Sequence, residues 1–101
     1  MVEPDAERRL DEAALAALLA SGSGWRRDGN ALTKTFTFKG FRAAVAFVNR
    51  VAEAAEAANH HPDVHLERYK NVRIVLTTHL TGGISDADVG LAKEIDAVER
   101  G

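Results

Sequence analysis

A long amphipathic segment flanked by two alternating segments most constrains how this chain can fold. Phe41 to Ala58 repeats apolar residues at the three-and-four spacing of a helix with one buried face. Leu32 to Lys39 alternates apolar residues with threonines, and Lys34 is the one misfit on its apolar face. Val72 to Leu80 alternates in the same way. The spacing of apolar residues therefore changes from that of a strand to that of a helix and back, which predicts a fold that contains both helices and strands.

Weaker patterns supply the remaining elements. Pro62 disfavours a helical conformation at the residue before it, so the long helix should end near Asn59. Helices and strands mix without a regular βαβ rhythm, which predicts an α+β fold: a single-layer antiparallel sheet of about four strands with helices packed on one face. The length of 101 residues fits one domain. Other predicted elements are a flexible tail over Met1 to about Ala6, a helix over Glu7 to Ala20, a turn at Asp28 to Asn30, a short strand at Val64 to Leu66 and a last helix from Ser85.

Composition excludes several classes of function. There are 13 basic and 15 acidic residues, a net charge of −2, which argues against a nucleic-acid partner. The absence of cysteine excludes disulfides, thiol nucleophiles and thiolate metal sites. The longest apolar run, Ala13 to Ala20, is far shorter than the roughly 20 residues that a membrane span needs. The acidic start lacks the features of a signal peptide, so we expect a cytoplasmic protein without a membrane partner.

The histidines are the residues best suited to chemistry. All four lie between His60 and His79, and imidazole is the side chain that exchanges a proton near neutral pH. His60 and His61 follow the long helix, and His79 lies near the end of the predicted strand, where it could approach them if that strand lies beside the segment after Pro62. Taken singly, each histidine is more often structural. His61 and His65 have the spacing of a helical zinc pair, but Pro62 argues against a helix there, so we predict no metal site.

Other catalytic motifs are missing. The sequence contains neither a Gly-x-Ser-x-Gly elbow nor a dinucleotide or phosphate loop among its glycines. Acid–base chemistry by imidazoles on a small organic substrate remains.

One pattern is more specific. Glu56 to Asp63, with the sequence Glu-Ala-Ala-Asn-His-His-Pro-Asp, followed by Tyr69 and by Leu76-Thr-Thr-His79, closely resembles the pterin-4a-carbinolamine dehydratases. The resemblance covers about residues 24–98. The chain departs from the animal members in two ways. The stretch after His-His-Pro is one residue longer, and Val64 and His65 stand where those members have an aromatic pair.

This resemblance implies an activity and the residues that perform it. The family removes water from 4a-hydroxytetrahydropterin in tetrahydrobiopterin recycling, without a metal or other cofactor. It implies that His60 and His79 form the acid–base pair and that His61 holds the substrate, without telling the acid from the base. Glu56 would orient an imidazole, or would simply be an exposed helix carboxylate. The remaining pterin contacts implied are Asn59, Thr77, Thr78 and Leu80.

Some matching residues have an equally good structural explanation. Asp88 matches an acidic position of the family, but Ser85-x-x-Asp88 has the spacing of a capping box. We therefore predict a capping role for Asp88 and leave it outside the catalytic set. Trp25, Phe36 and Phe38 are predicted to lie in the core rather than to form a platform for the substrate.

The resemblance also implies assembly and a rival function. Family members form dimers and tetramers, so we expect a homodimer or homotetramer. Some act as dimerisation cofactors of a homeodomain transcription factor, which makes a non-catalytic protein-binding module the alternative. The presence of all three motif histidines favours the enzyme.

Overall fold

Within residues 5–100, which the computed structural model describes, the chain folds as one antiparallel sheet with three α-helices. The elements are, in chain order, a 3-10 helix Ala6–Arg8, α1 Glu12–Ala20, β1 Arg26–Asp28, β2 Ala31–Thr37, α2 Phe41–Ala58, β3 Asp63–Glu67, β4 Asn71–Leu76 and α3 Asp86–Arg100. The four strands lie in the order β1-β2-β4-β3, and each neighbouring pair is antiparallel. The predicted α+β class and its four-stranded sheet are confirmed.

The register of the two central strands places their apolar side chains on one face. Leu32 lies opposite Leu76, and Phe36 lies opposite Val72. Because side chains alternate along a strand, these four share a face, and all four are buried. They form one core with the buried residues of the helices, among them Leu15, Leu18, Phe47, Val51, Leu91 and Ile95. The helices therefore pack on one face of the sheet, as predicted.

Lys34, the misfit on the apolar face of β2, has a buried partner. Its Nζ lies 2.8 Å from Oδ1 of Asp96 in α3. The indole Nε1 of Trp25 donates to the same carboxylate, at 3.1 Å from each oxygen. Trp25 and Phe36 are buried and Phe38 is partly buried, which agrees with their predicted place in the core. The lysine thus neutralises a carboxylate that the core would otherwise hold unpaired.

Helix α2 has the predicted bounds and ends in a way that orients the next residues. Asn59 adopts the left-handed conformation, with φ 51°. The N–H of His60 donates to the carbonyl of Ala55 at 3.1 Å, and that of Asn59 donates to Glu56 at 3.2 Å, which is a Schellman motif. Neither α2 nor another helix within residues 5–100 is long and apolar enough to cross a membrane.

The N-terminal prediction is wrong in two respects. The helix expected over Glu7 to Ala20 is interrupted, because the carboxylate of Asp11 caps α1 by accepting from the N–H groups of Ala13 and Ala14. Of the expected tail, Met1–Pro4 lie outside the described residues. Ala6 is only 3% exposed and begins the 3-10 helix, so the tail does not reach that residue.

The strand predicted over Val72 to Leu80 is also too long. Strand β4 ends at Leu76, and Thr78 then forms an isolated bridge with Gly83. The N–H of Gly82 donates to the carbonyl of His79 at 3.1 Å, which closes a turn. His79 therefore lies in a turn rather than at a strand end, and Leu80 is 62% exposed rather than part of the buried face.

Candidate active site

His60 is the buried histidine of the motif, and it is held by a carboxylate from another helix. The turn at Asn59 directs the chain back over the end of α2, and His60 is 7% exposed. Its Nε2 lies 2.6 Å from Oδ1 of Asp88 in α3. A distance this short between an imidazole and a carboxylate is typical of a charge-assisted hydrogen bond. Asp88 therefore fixes the ring and leaves Nδ1 as the nitrogen available to other groups.

Asp88 is fully buried and hydrogen-bonded at both oxygens. Its Oδ2 accepts from the hydroxyl of Thr78 at 2.7 Å and from the N–H of Ser85 at 2.9 Å. The hydroxyl of Ser85 accepts from the N–H of Ala87 at 3.2 Å, so Ser85 and Asp88 cap α3 together, with the serine hydroxyl on the second helical N–H rather than the third. The predicted capping role of Asp88 is thus confirmed. Its contact with His60 adds a second role that the capping prediction did not include.

The surroundings of His60 favour its protonated form. The hydrogen bond to Asp88 is the largest influence and raises the pKa of His60, whereas burial lowers it. The negative charges of Asp88 and Glu7 raise this pKa further, and the net effect is upward. Glu7, in the 3-10 helix, places Oε2 3.6 Å from Nδ1 of His60. This distance is that of an ion pair rather than a hydrogen bond.

His61 is not part of this network and pairs with Glu56. Its Nε2 lies 2.6 Å from Oε2 of Glu56, and both side chains are exposed. Glu56 thus contacts the second imidazole of the motif and not the first. The pair borders a shallow groove of about 200 Å³ between α2 and β3, whose walls include Val51, Pro62 and Val64.

His79 is exposed, and within residues 5–100 its imidazole makes neither a hydrogen bond nor an ion pair. Its neighbour Thr78 is buried and donates to Asp88, which in turn contacts His60. The chain therefore leaves the buried network at Thr78 and presents His79 to solvent beside it.

The other expected pterin contacts differ in their surroundings. The hydroxyl of Thr77 donates to the carbonyl of Asn30 at 2.7 Å, which ties the β1–β2 turn to the end of β4. Thr78 is committed to Asp88 and to the hydroxyl of Ser85, at 2.8 Å. Asn59 and Leu80 are exposed, and the side-chain amide of Asn59 makes no hydrogen bond within residues 5–100.

Sequence reasoning missed Glu7 and the His60–Asp88 contact. The sequence predicts Glu7 only as the first residue of a helix, and nothing in its spacing indicates a contact across 53 positions of the chain. For the His60–Asp88 contact, the match of Asp88 to an acidic position of the family was the one signal in the sequence. No group of three or more metal-ligating side chains is arranged to hold an ion within residues 5–100.

Comparison with known proteins gives a consistent result. The family model described as pterin 4 alpha carbinolamine dehydratase matches residues 8–98. A protein of Thermomicrobium roseum, which bears the provisional name of a pterin-4-alpha-carbinolamine dehydratase, is 54% identical over 87 residues, covering 86% of this chain and 92% of its own. A Chloroflexus aurantiacus protein with the same provisional name is 47% identical over 90 residues, covering 89% and 96%.

Two solved structures share the fold. A transcriptional coactivator/pterin dehydratase from Brucella melitensis superposes with a TM-score of 0.79 at 31% identity, covering 90% of this chain and 98% of its own. A pterin dehydratase-like protein identified as a RuBisCO assembly factor in the alpha-carboxysome has a TM-score of 0.64 at 26% identity, covering 75% and 89%.

Proposed function

Because the chain belongs to the pterin 4 alpha carbinolamine dehydratase family, we propose that it dehydrates a 4a-hydroxytetrahydropterin to the quinonoid dihydropterin. The observation that carries the proposal is His60 held by a buried carboxylate, which orients the imidazole and favours its protonated form. The setting is the recycling of tetrahydrobiopterin in the cytoplasm. The substrate is a small pterin, and neither a cofactor, a nucleic acid nor a membrane takes part.

The reaction is the loss of water across the C4a–N5 bond, and it needs two proton transfers. The C4a–O bond breaks, its electron pair leaves with the hydroxyl oxygen, and that oxygen takes a proton to become water. The N5–H bond gives up its proton, and its electrons form the C4a=N5 double bond. The catalyst therefore has to supply one proton and accept another, and no oxidation or reduction occurs. Positioned imidazoles accelerate such steps by about 10²–10⁴-fold, or roughly 3–5 kcal/mol.

The environment of each histidine supports a division of roles. His60 supplies the proton to the leaving oxygen through Nδ1, because its Nε2 is bound to Asp88 and its pKa is raised. His79, exposed beside Thr78, accepts the proton of N5. His61, oriented by Glu56, holds the pterin by a hydrogen bond. Asn59, Thr77, Thr78 and Leu80 contribute the remaining contacts.

The experiment follows the loss of a freshly generated 4a-hydroxytetrahydropterin by stopped-flow absorbance. The wild type should accelerate dehydration over buffer, and His79→Ala should lose about 100-fold of that acceleration or more. His79 is exposed, so this variant should melt like the wild type. His65→Ala is the matched control, because His65 is exposed on β3. Full activity of His79→Ala would refute the acid–base assignment, and no acceleration by the wild type would refute the enzyme.

The outer edge of the sheet supports a further proposal, that this chain binds another protein chain. Strand β3 has no partner on its outer edge within residues 5–100, and Val64 and Leu66 are 37% and 36% exposed there. An unpaired edge beside an apolar groove is a surface for another chain. We propose that a second copy occupies it, giving a homodimer or homotetramer. The alternative is a non-catalytic protein-binding module. One structural neighbour is described as a transcriptional coactivator as well as a pterin dehydratase, and the other as a RuBisCO assembly factor.

A further inference from the structure

We propose that Glu7 is a positioning residue for the dehydration proposed above: its carboxylate pairs with Nδ1 of His60 and sets the pH range over which that nitrogen donates a proton. The proposal rests on the proposed function for its catalytic consequence. The contact itself can be tested without substrate.

The segment that presents Glu7 is fixed to the helix that also supplies Asp88. We call Ala6–Asp11 the N-terminal strap. Asp86, the first residue of α3, donates its N–H to the carbonyl of Arg9 at 2.9 Å. Its Oδ1 accepts from the N–H of Asp11 at 2.7 Å, and its Oδ2 lies 3.2 Å from Nε of Arg9. Ala6 is buried at the other end of the strap. Glu7 is therefore held near His60 by several contacts rather than by its own ion pair alone.

The two nitrogens of His60 face carboxylates on two different elements. Nε2 faces Asp88 of α3, and Nδ1 faces Glu7 of the strap. These are the charged groups in contact with the ring within residues 5–100. Because Asp88 is fully buried and bonded at both oxygens, a proton can leave the ring only from Nδ1. The leaving oxygen of the substrate must then approach on the side that Glu7 occupies.

Glu7 can share the space beside Nδ1 of His60 with the substrate, or leave that space when the substrate binds. Its side chain is 44% exposed, and its 3.6 Å contact with Nδ1 leaves the hydrogen bond unformed. Before substrate binds, the negative charge of Glu7 beside Nδ1 favours the protonated ring. When substrate binds, the carboxylate moves aside while its charge still favours the imidazolium. Removing that charge should therefore lower the pKa of His60, because the protonated form loses an attractive partner.

The first measurement is an NMR titration of the His60 ring in the chain without substrate, with the resonance assigned from His60→Gln. In Glu7→Gln the titration midpoint of His60 should fall. Glu12→Gln, which removes an exposed carboxylate without a described contact, is the control and should leave the midpoint unchanged. Asp86→Ala, which removes the two side-chain contacts between α3 and the strap but keeps the backbone bond to Arg9, should lower the midpoint in the same direction. Equal midpoints in Glu7→Gln and the wild type would overturn the proposal.

The second measurement is the pH profile of dehydration. Glu7→Gln should move the alkaline limb of kcat/KM to lower pH and reduce kcat/KM on that limb by about two- to fivefold, the range of an exposed ion pair. Below that limb its rate should equal that of the wild type, which a general loss of folding would not produce. An unchanged profile would overturn the positioning role. If the wild type itself does not accelerate dehydration, the proposed function fails, while the titration still decides whether Glu7 pairs with His60.

Discussion

Replacing Asp88 by asparagine should separate the two roles of this carboxylate. Asp88 accepts hydrogen bonds from His60, Thr78 and the N–H of Ser85. An asparagine whose carbonyl takes the place of Oδ2 keeps the last two and turns its amide N–H toward Nε2 of His60. That nitrogen can accept only when it is deprotonated. The substitution should therefore preserve the helix cap and remove the charged partner of the imidazole.

The expected loss of stability follows from the contact that disappears. A hydrogen bond to a charged group contributes about 1.5–3 kcal/mol, and the pair is buried, so the free energy of unfolding should fall by about that amount. This is a fraction of the roughly 5–15 kcal/mol of a typical domain, so Asp88→Asn should still fold. Asp88→Ala, which removes all three bonds, should lose more, about 3–5 kcal/mol.

The loss should depend on pH. The pKa of His60 is raised in the folded chain, so its contribution is fully present below the ordinary histidine pKa of about 6.5 and disappears as the pH rises through the folded value. The difference between wild type and Asp88→Asn should accordingly be larger at about pH 6 than at about pH 9.

Urea denaturation at the two pH values, followed by the fluorescence of the single tryptophan, measures this difference. Trp25 is buried and bonded to Asp96, away from the substitution, so its emission reports global unfolding. A difference that is the same at both pH values, or below about 0.5 kcal/mol, would contradict the charged pair between His60 and Asp88.

Two further predictions concern other parts of the molecule. Lys34→Met should lower the free energy of unfolding by about 3–5 kcal/mol, because it leaves the carboxylate of Asp96 buried with only the indole of Trp25. Urea denaturation measures this change in the free energy of unfolding. The double variant that also carries Asp96→Leu should recover part of the lost stability. A loss below about 1 kcal/mol in Lys34→Met alone would argue against a buried ion pair. Val64→Lys with Leu66→Lys on the edge strand should reduce the proposed homo-oligomer to a monomer in light scattering without changing the far-ultraviolet circular dichroism. An unchanged mass would exclude this edge as the interface.

The elements predicted best are those whose local pattern agrees with the tertiary contacts. Helix α2 has a strong apolar period, and Asn59 with Pro62 ends it at the predicted place. The predicted strand is longer than β4 because the alternation of apolar residues continues through Thr78 and Leu80. The bridge from Thr78 to Gly83 bends the chain back after Leu76, and that contact is not visible in a period.

The candidate site was predictable in its residue types and not in its pairings. The spacing of Ser85 and Asp88 indicates a cap, and the cap is present. The same carboxylate reaches His60 only because α3 packs against the end of α2, which depends on the whole core. The contact of Glu7 depends in addition on the interruption of the first helix at Asp11, where a capping aspartate competed with a continuous apolar pattern.

The capping box of α3 also gives the site an internal reporter. The amide proton of Ser85 is bound to the carboxylate oxygen opposite the one that faces His60. Fraying of the first turn of α3 would remove Asp88 from the imidazole of His60. Conversely, loss of the charge on His60 would weaken its contact with Asp88 and so loosen that turn. Slow exchange of a single backbone amide with heavy water would thus register the ionisation of a side chain 25 positions earlier in the chain.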